Sequence, residues 1–131
     1  MKVLRIRPKH YPEVIDIEGS LESLQKEVEG MIQAVYPWDD EVALICNEEG
    51  KLQDNAMENL NRTLDGPYGI PIDIIVGTFL IVGLTEDDFG ELAPEFIEKY
   101  EKMFHRPRSF NFYVDTDGKT CLDVDYCEPE E

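Results

Sequence analysis

Residues 70–84 read Ile-Pro-Ile-Asp-Ile-Ile-Val-Gly-Thr-Phe-Leu-Ile-Val-Gly-Leu, the most hydrophobic stretch of the chain. A continuous apolar run bounded by turn residues is typical of a β-strand that is buried on both faces. Gly77 interrupts the run, and a glycine inside a strand indicates a kink or a bulge. We therefore predict one central strand over this stretch, kinked or bulged at Gly77.

The first 18 residues predict an antiparallel hairpin. Residues 3–7 and 14–18 each alternate apolar and polar side chains, and a turn separates them. In an antiparallel pair, the arginines of the first strand would face Asp16 and Glu18 of the second. The alternation of the first strand predicts that it is buried on one face only.

Two amphipathic helices and several further strands follow. Ser20 is a suitable N-cap for the first helix, and Gly30 fits its C-terminal end. Apolar residues from Phe89 to Phe104 trace the second helix, with Pro94 in the first turn of its main part. The other predicted elements are strands at 32–36 and 42–46, a possible short helix over 57–64, and a C-terminal hairpin over 110–126 that turns at Asp117-Gly118.

This order of elements predicts an α+β fold, with a mixed, mostly antiparallel sheet and two packing helices. We expect a single domain over residues 1–127 and a disordered acidic tail at 128–131. The first part, a hairpin followed by a helix and strands, is also what a β-grasp would show. At 131 residues and 42% hydrophobic content, the chain can bury a core of its own.

The charge of the chain narrows the choice of partners. Its 29 acidic and 12 basic residues give a net charge of −17. Such a field repels phosphate backbones, so we expect no direct nucleic-acid binding and favour a basic protein partner. The sequence has no signal-peptide pattern and no apolar run of membrane-spanning length, which predicts a cytoplasmic protein that does not bind membranes.

No catalytic or metal-binding pattern stands out in the sequence. Covalent catalysis needs a nucleophile beside a base, but His10 and His105 lie in segments without a neighbouring serine or cysteine motif. The aspartates between residues 115 and 125 resemble the start of a calcium loop, but Tyr126 stands where an EF-hand would need its glutamate. We therefore expect no enzyme activity, no cofactor and no metal.

Polar residues near strand ends, together with one on the first helix, are the candidates for binding a ligand or partner. They are Gln25, Asn47, Glu48, Asn61 and Arg62. Hydrogen bonding between loops is the alternative role for the same residues. Arg62 is the only base between Lys51 and Lys99, so we expect it either to be held by carboxylates such as Glu48 and Glu49 or to be presented to a ligand or partner.

Several stretches match one family in order and spacing, from near residue 1 to about residue 104. They are residues 19–30, 36–40, 42–51, 60–62, 73–79 and 87–89. The chain thereby resembles the domain-of-unknown-function 3846 family. The resemblance implies a bacterial setting, especially gut Firmicutes, with many members on phages and conjugative elements and some near antirestriction genes. The chain departs from the family pattern at Glu29 and at residues 53–59, and the C-terminal hairpin lies outside the resemblance.

Two function hypotheses follow. The first is a small, acidic, non-enzymatic binding protein of a phage or mobile element that engages a basic host or element-encoded protein, with counter-defence and DNA mimicry as versions of it. The alternative is a small-molecule or nucleotide-binding module that uses the five polar candidates. A mimic should hold its acids in a continuous surface track, whereas a ligand module should show a pocket where Asn47 and Arg62 converge.

Overall fold

The computed structural model describes residues 1–130, which form strands, two helices and short 3-10 turns. The strands are β1 (Lys2–Ile6), β2 (Glu13–Asp16), β3 (Ile32–Val35), β4 (Val42–Asn47), β5 (Leu60–Asp65), β6 (Pro71–Val76), β7 (Phe79–Leu84), β8 (Phe89–Gly90), β9 (Arg108–Val114) and β10 (Thr120–Tyr126). The helices are α1 (Leu21–Val28) and α2 (Pro94–Phe104). The 3-10 turns are Gly50–Leu52, Ala56–Glu58 and Pro67–Gly69.

The main sheet has the strand order β2-β1-β7-β4-β3, with β8 paired to β7 at one end. Neighbouring strands in it run antiparallel. The predicted α+β fold, mostly antiparallel with two helices, is confirmed. The hairpin, helix and strands of the first part are present, but β7 is inserted between β1 and β4.

The central strand β7 is buried on both faces, which explains its unbroken apolar sequence. Phe79 and Ile81 point into a core that includes side chains of α2. Leu80 and Val82 point into a second core on the opposite face, which includes side chains of α1. β1 is also buried on both faces at its start, because the neighbouring side chains of Val3 and Leu4 are both fully buried. The prediction that this strand is buried on one face only is therefore wrong.

The prediction of a single strand over residues 70–84 is wrong. The backbone of Gly77 has a φ of +80°, a left-handed conformation that glycine adopts easily and that here separates β6 from β7. β6 leaves the main sheet and pairs with β5 in a separate two-stranded sheet. β5 occupies most of the segment where helical spacing predicted a short helix, because pairing with β6 overrides that local pattern.

The register of the first hairpin also differs from the prediction. Arg5 lies opposite Glu13, and Asp16 lies opposite Lys2. The expected pairing of the arginines with Asp16 and Glu18 is therefore wrong. Asp16 instead accepts a hydrogen bond of 2.7 Å from the N-terminal amino group.

The ends of the helices follow local chemistry. The Ser20 hydroxyl accepts a hydrogen bond of 3.2 Å from the backbone N–H of Ser23, as expected of an N-cap. α1 ends at Glu29, which takes the left-handed conformation in place of Gly30. α2 begins at Pro94 and not at Phe89, because Phe89 pairs with β7 as part of β8.

The C-terminal hairpin forms as predicted, with Gly118 at a φ of +81° in its turn. β9 packs beside β5, which brings the C-terminal hairpin next to the β5–β6 sheet. Residues 128–130 contain no helix or strand, and the backbone N–H of Glu130 donates a 2.7 Å hydrogen bond to the Lys9 carbonyl. The last residue of the predicted disordered tail, at position 131, lies outside the described residues.

Candidate functional site

Arg62 lies in the interior of the protein, with only 2% of its surface exposed. Its Nε donates to the Phe104 carbonyl at 3.1 Å, and its Nη2 donates to the His10 carbonyl at 2.7 Å. Its Nη1 donates to the side-chain oxygen of Asn61 at 2.9 Å. These acceptors are neutral oxygens, so the expectation that Glu48 and Glu49 hold Arg62 is wrong.

The guanidinium of Arg62 joins three parts of the fold: β5, the C-terminal end of α2, and the loop between β1 and β2. Burial lowers the pKa of Arg62 to about 10, and the positive charge of Arg108 acts in the same direction. The group therefore stays cationic at neutral pH. Its hydrogen bonds assign it a structural role.

Asn61 is fully buried and extends this polar link. Its Nδ2 donates to the Ile6 carbonyl at 2.9 Å and to the Gly77 carbonyl at 2.8 Å. The side chain thus fixes the end of β1 beside the turn that separates β6 from β7. Together, Asn61 and Arg62 satisfy backbone carbonyls that would otherwise be buried without a donor.

The other three candidates lie around the C-terminal end of α1. Asn47 donates to the carbonyls of Val28 and Glu29, at 3.1 and 3.2 Å, and so satisfies the last turn of the helix. Glu48 is exposed, and its backbone N–H bonds to the Met31 carbonyl at 2.8 Å. The side-chain amide of Gln25 contacts the sulfur of Met31 at 3.4 Å.

The structure therefore divides the five candidates into two groups. Asn47 and Glu48 line a cavity of about 230 Å³ together with Gln33 and Cys46. Arg62 lines a different cavity, beside α2. Within residues 1–130, Asn47 and Arg62 therefore line different cavities. The role of the five residues in ligand binding stays a prediction.

An apolar groove lies between the β5–β6 sheet and the β9–β10 hairpin, with a volume of about 520 Å³. Ile72 and Ile74 from β6 line one side, and Leu122 and Val124 from β10 line another. Met57, from a 3-10 turn, completes the lining. Met57 and Ile72 are 62% and 69% exposed, so the groove presents apolar surface to solvent.

The exposed apolar surface continues along the chain beyond the groove. Tyr68 and Ile70, directly before β6, are also exposed, as is Leu52. Exposed apolar surface that lines a groove is typical of sites that bind other molecules. The apolar run of residues 70–84 is typical of one buried strand, so its pattern does not reveal this surface. Pro71 and Asp73, both unusual in a buried central strand, were the signals that could have found it.

Several exposed carboxylates lie within the lining of the groove or close to it in sequence. They are Asp54, Glu58, Asp73, Asp123 and Asp125. Asp73 forms an ion pair with Lys51 at the groove. The strand alternation of β10 places Asp123 and Asp125 on the face opposite Leu122 and Val124, as predicted. Asp73 is the one of these carboxylates that lines the groove, and the net charge of −17 belongs to the chain as a whole.

The family model for Domain of unknown function (DUF3846) matches residues 1–105 of the chain. The chain belongs to this family. Comparison of the DUF3846 chain with curated proteins and with solved structures finds no match. None of its helices within residues 1–130 is long and apolar enough to cross a membrane. In the same residues, no group of three or more His, Cys, Asp or Glu side chains is placed to hold a metal ion.

The DUF3846 match ends between α2 and β9, and this boundary runs through the groove. Leu122 and Val124 lie outside the match. Met57 lies within it. Arg62 and the main sheet lie inside the match. Two of the twelve residues that line the groove therefore lie outside the family match, and the other ten lie within it.

Proposed function

We propose that this protein is a small, non-enzymatic binding protein that holds a basic protein partner in the groove between the β5–β6 sheet and the β9–β10 hairpin. The observation that carries the proposal is the exposed apolar lining of this groove in a chain of net charge −17. Protein-binding surfaces combine an apolar centre with a polar or charged rim. The matching partner is an apolar side chain flanked by lysine or arginine residues.

The groove and the charge of the chain contribute to this interaction in different ways: the groove to affinity, and the charge to the rate of association. A volume of about 520 Å³ lies in the usual range for sites that take a ligand or a few side chains. Burial of one large apolar side chain contributes roughly 1.5–3 kcal/mol. The carboxylates attract a basic partner over longer distances and raise its association rate.

The hydrogen bonds of the polar candidates support this proposal over a small-molecule or nucleotide-binding module in which these residues would donate to the ligand. The side-chain N–H groups of Asn61 and Arg62 donate to internal carbonyls, and the amide of Asn47 donates to a carbonyl at the end of α1. A ligand at these groups would have to replace hydrogen bonds that hold the fold together. The groove, by contrast, is open to a partner without such rearrangement.

The setting of the interaction is part of the same proposal. The family resemblance implies phages and mobile elements of bacteria, whose products act in the cytoplasm of the host. We place the target among the basic proteins that handle nucleic acid, encoded by the host or by the element. Occupying such a protein would serve counter-defence.

The test uses capture from bacterial lysate at low and high salt, followed by calorimetric titration of each captured protein, once purified. Wild-type protein is compared with Met57→Ser and Ile72→Ser, which reduce the apolar lining at exposed positions. The matched control is Val14→Ser, on β2 and 51% exposed. We expect a basic partner whose affinity falls roughly tenfold in the groove variants and falls with salt.

Two results would contradict the proposal. The first is a partner that binds the groove variants and the Val14→Ser control equally well. The second is a partner whose binding is abolished by Asn47→Ala but is unchanged in Ile72→Ser, which favours the ligand module with its polar residues.

A further inference from the structure

The cavity that Arg62 lines has a volume of about 230 Å³ and lies beside the C-terminal end of α2 and the open end of the β9–β10 hairpin. Within residues 1–130, Thr63 is its only lining residue in common with the apolar groove. Three of the five arginines of the chain line it, namely Arg62, Arg106 and Arg108. This is an unusual concentration of positive charge in a chain with 29 acids.

The charges around this cavity do not balance. Asp65 is the one acidic residue in its lining, and Asp65 Oδ2 is 3.8 Å from Nη2 of Arg108. Arg62 is almost fully buried, and its acceptors are the neutral oxygens described above. Carbonyl oxygens satisfy its hydrogen bonds but do not neutralise its charge. A buried charge without a counter-ion is costly, so an anion beside it is stabilising.

The two other arginines are held in place by an aromatic ring. The guanidinium carbons of Arg106 and Arg108 each lie 4.2 Å from the ring centre of Tyr126. Stacking on a ring fixes the plane of a guanidinium while its N–H groups remain free to donate at the edge. Arg106 is exposed, and no ion pair engages it among the described residues. The N–H groups of Arg106 and Arg108 are therefore held in position and remain available to a ligand.

We infer that this cavity binds the phosphate group of a small-molecule ligand. Arg106 and Arg108 would donate hydrogen bonds to its oxygens, and Arg62 would supply a fixed positive charge behind them. Three guanidinium groups against one carboxylate leave roughly two positive charges, which match the charge of about −1.5 to −2 on a phosphate monoester at neutral pH. The forked donors of arginine also match the spacing of phosphate oxygens.

The protein contains its own reporter for this site. Trp38 is the one tryptophan of the chain, and it lines the cavity. It packs against Tyr100 with a distance of 4.5 Å between ring centres, so its environment is well defined. A ligand that enters the cavity should change its fluorescence.

The experiment titrates the protein with inorganic phosphate and with glycerol 3-phosphate at fixed ionic strength, and follows Trp38 fluorescence. Isothermal titration calorimetry provides a second measurement. The variants are Arg106→Gln and Arg108→Gln, and the control is Lys119→Gln, which removes the same charge next to the turn at the opposite end of the hairpin. We expect saturable binding that weakens roughly tenfold or more in both arginine variants and is unchanged in the control.

The results separate the two sources of the phosphate group. Tighter binding of glycerol 3-phosphate supports a phosphate ester as the ligand, and equal binding supports free phosphate. The proposal is overturned if neither probe binds saturably by either measurement, or if all four proteins bind equally. Denaturation midpoints are measured for each variant. If Arg108→Gln is unfolded, the exposed Arg106 carries the test alone.

Discussion

Nη1 of Arg5, on β1, donates a hydrogen bond of 3.0 Å to the carboxylate of Glu27, on α1. Nη2 of the same arginine contacts both oxygens of Glu13, at 3.4 and 3.3 Å. Glu13 also accepts a bond of 2.8 Å from Nε of Arg7. This cluster of two arginines and two glutamates links the first helix to the edge of the main sheet.

The cluster predicts a loss of stability in acid. Burial acts to raise the pKa of Glu13, but the hydrogen bonds and charges of Arg5 and Arg7 outweigh it and lower the pKa. A carboxyl whose pKa is lower in the folded state stabilises the fold above its unfolded pKa, and this contribution is lost as the pH falls through the folded pKa. We expect the urea midpoint of the wild type to decrease as the pH drops below about 4.5, the ordinary pKa of a glutamate carboxyl. The urea midpoint of Glu13→Gln should be lower than that of the wild type near neutral pH and should change less on acidification. An equally steep decrease in the variant and the wild type would contradict the prediction.

Replacement of Arg62 should destabilise the protein strongly. Arg62→Ala removes the donors to the carbonyls of His10 and Phe104 and leaves both without them. We expect a loss of about 3 kcal/mol or more in the free energy of unfolding, measured by urea denaturation. Arg62→Lys should also lose stability, because an ammonium cannot reproduce the planar fork. Lys26→Ala, at an exposed position of α1, is the control, and an Arg62→Ala midpoint equal to that control would refute the structural role.

Gly77→Val should destabilise the fold through backbone strain. A Cβ at this position would meet nothing within 4 Å, so crowding in a buried strand is not the cause. The φ of +80° is the cause, since β-branched residues avoid this region. We expect a loss of about 2 kcal/mol for Gly77→Val and a smaller loss for Gly77→Asn, because asparagine tolerates the left-handed conformation. Equal midpoints for the two variants would argue against strain.

Tyr100→Phe should cost about 1 kcal/mol, the usual value of one hydrogen bond. Tyr100 is fully buried, and its hydroxyl donates a bond of 2.7 Å to Asp40. The ring stays in place in the variant, so packing against Trp38 is retained. Tyr113→Phe, at an exposed position of β9, is the matched control and should leave the urea midpoint unchanged. A Tyr100→Phe midpoint that equals the wild type would show that the bond contributes no net stability.

The elements that could be predicted from the sequence are those whose signals are local. Ser20 and the apolar spacing after it locate α1, and Asp117-Gly118 locates the C-terminal turn. The run around Leu80 identifies a strand buried on both faces. The division at Gly77 could not be predicted, because apolar content does not tell which sheet a strand joins. That choice depends on partners distant in sequence, such as β5 for β6.

The candidate site was harder to predict for the same reason. Two of the acceptors of Arg62 are 42 and 52 residues away in sequence, and both are backbone carbonyls, which every residue carries. No pattern of side chains could identify them. The groove likewise joins Met57 and Ile72 to Leu122, from segments that are far apart in the chain.

The position of β7 in the sheet determines the order in which a growing chain can fold. β1 pairs with β2, and β4 pairs with β3, but β1 and β4 reach each other only through β7. Without residues 79–84, the chain can form only two separate strand pairs, and the inner edges of these pairs have no partner strand. Open apolar edges pair readily with other chains. Insertion of β7 is thus the step that joins the two strand pairs into one sheet and covers their inner edges.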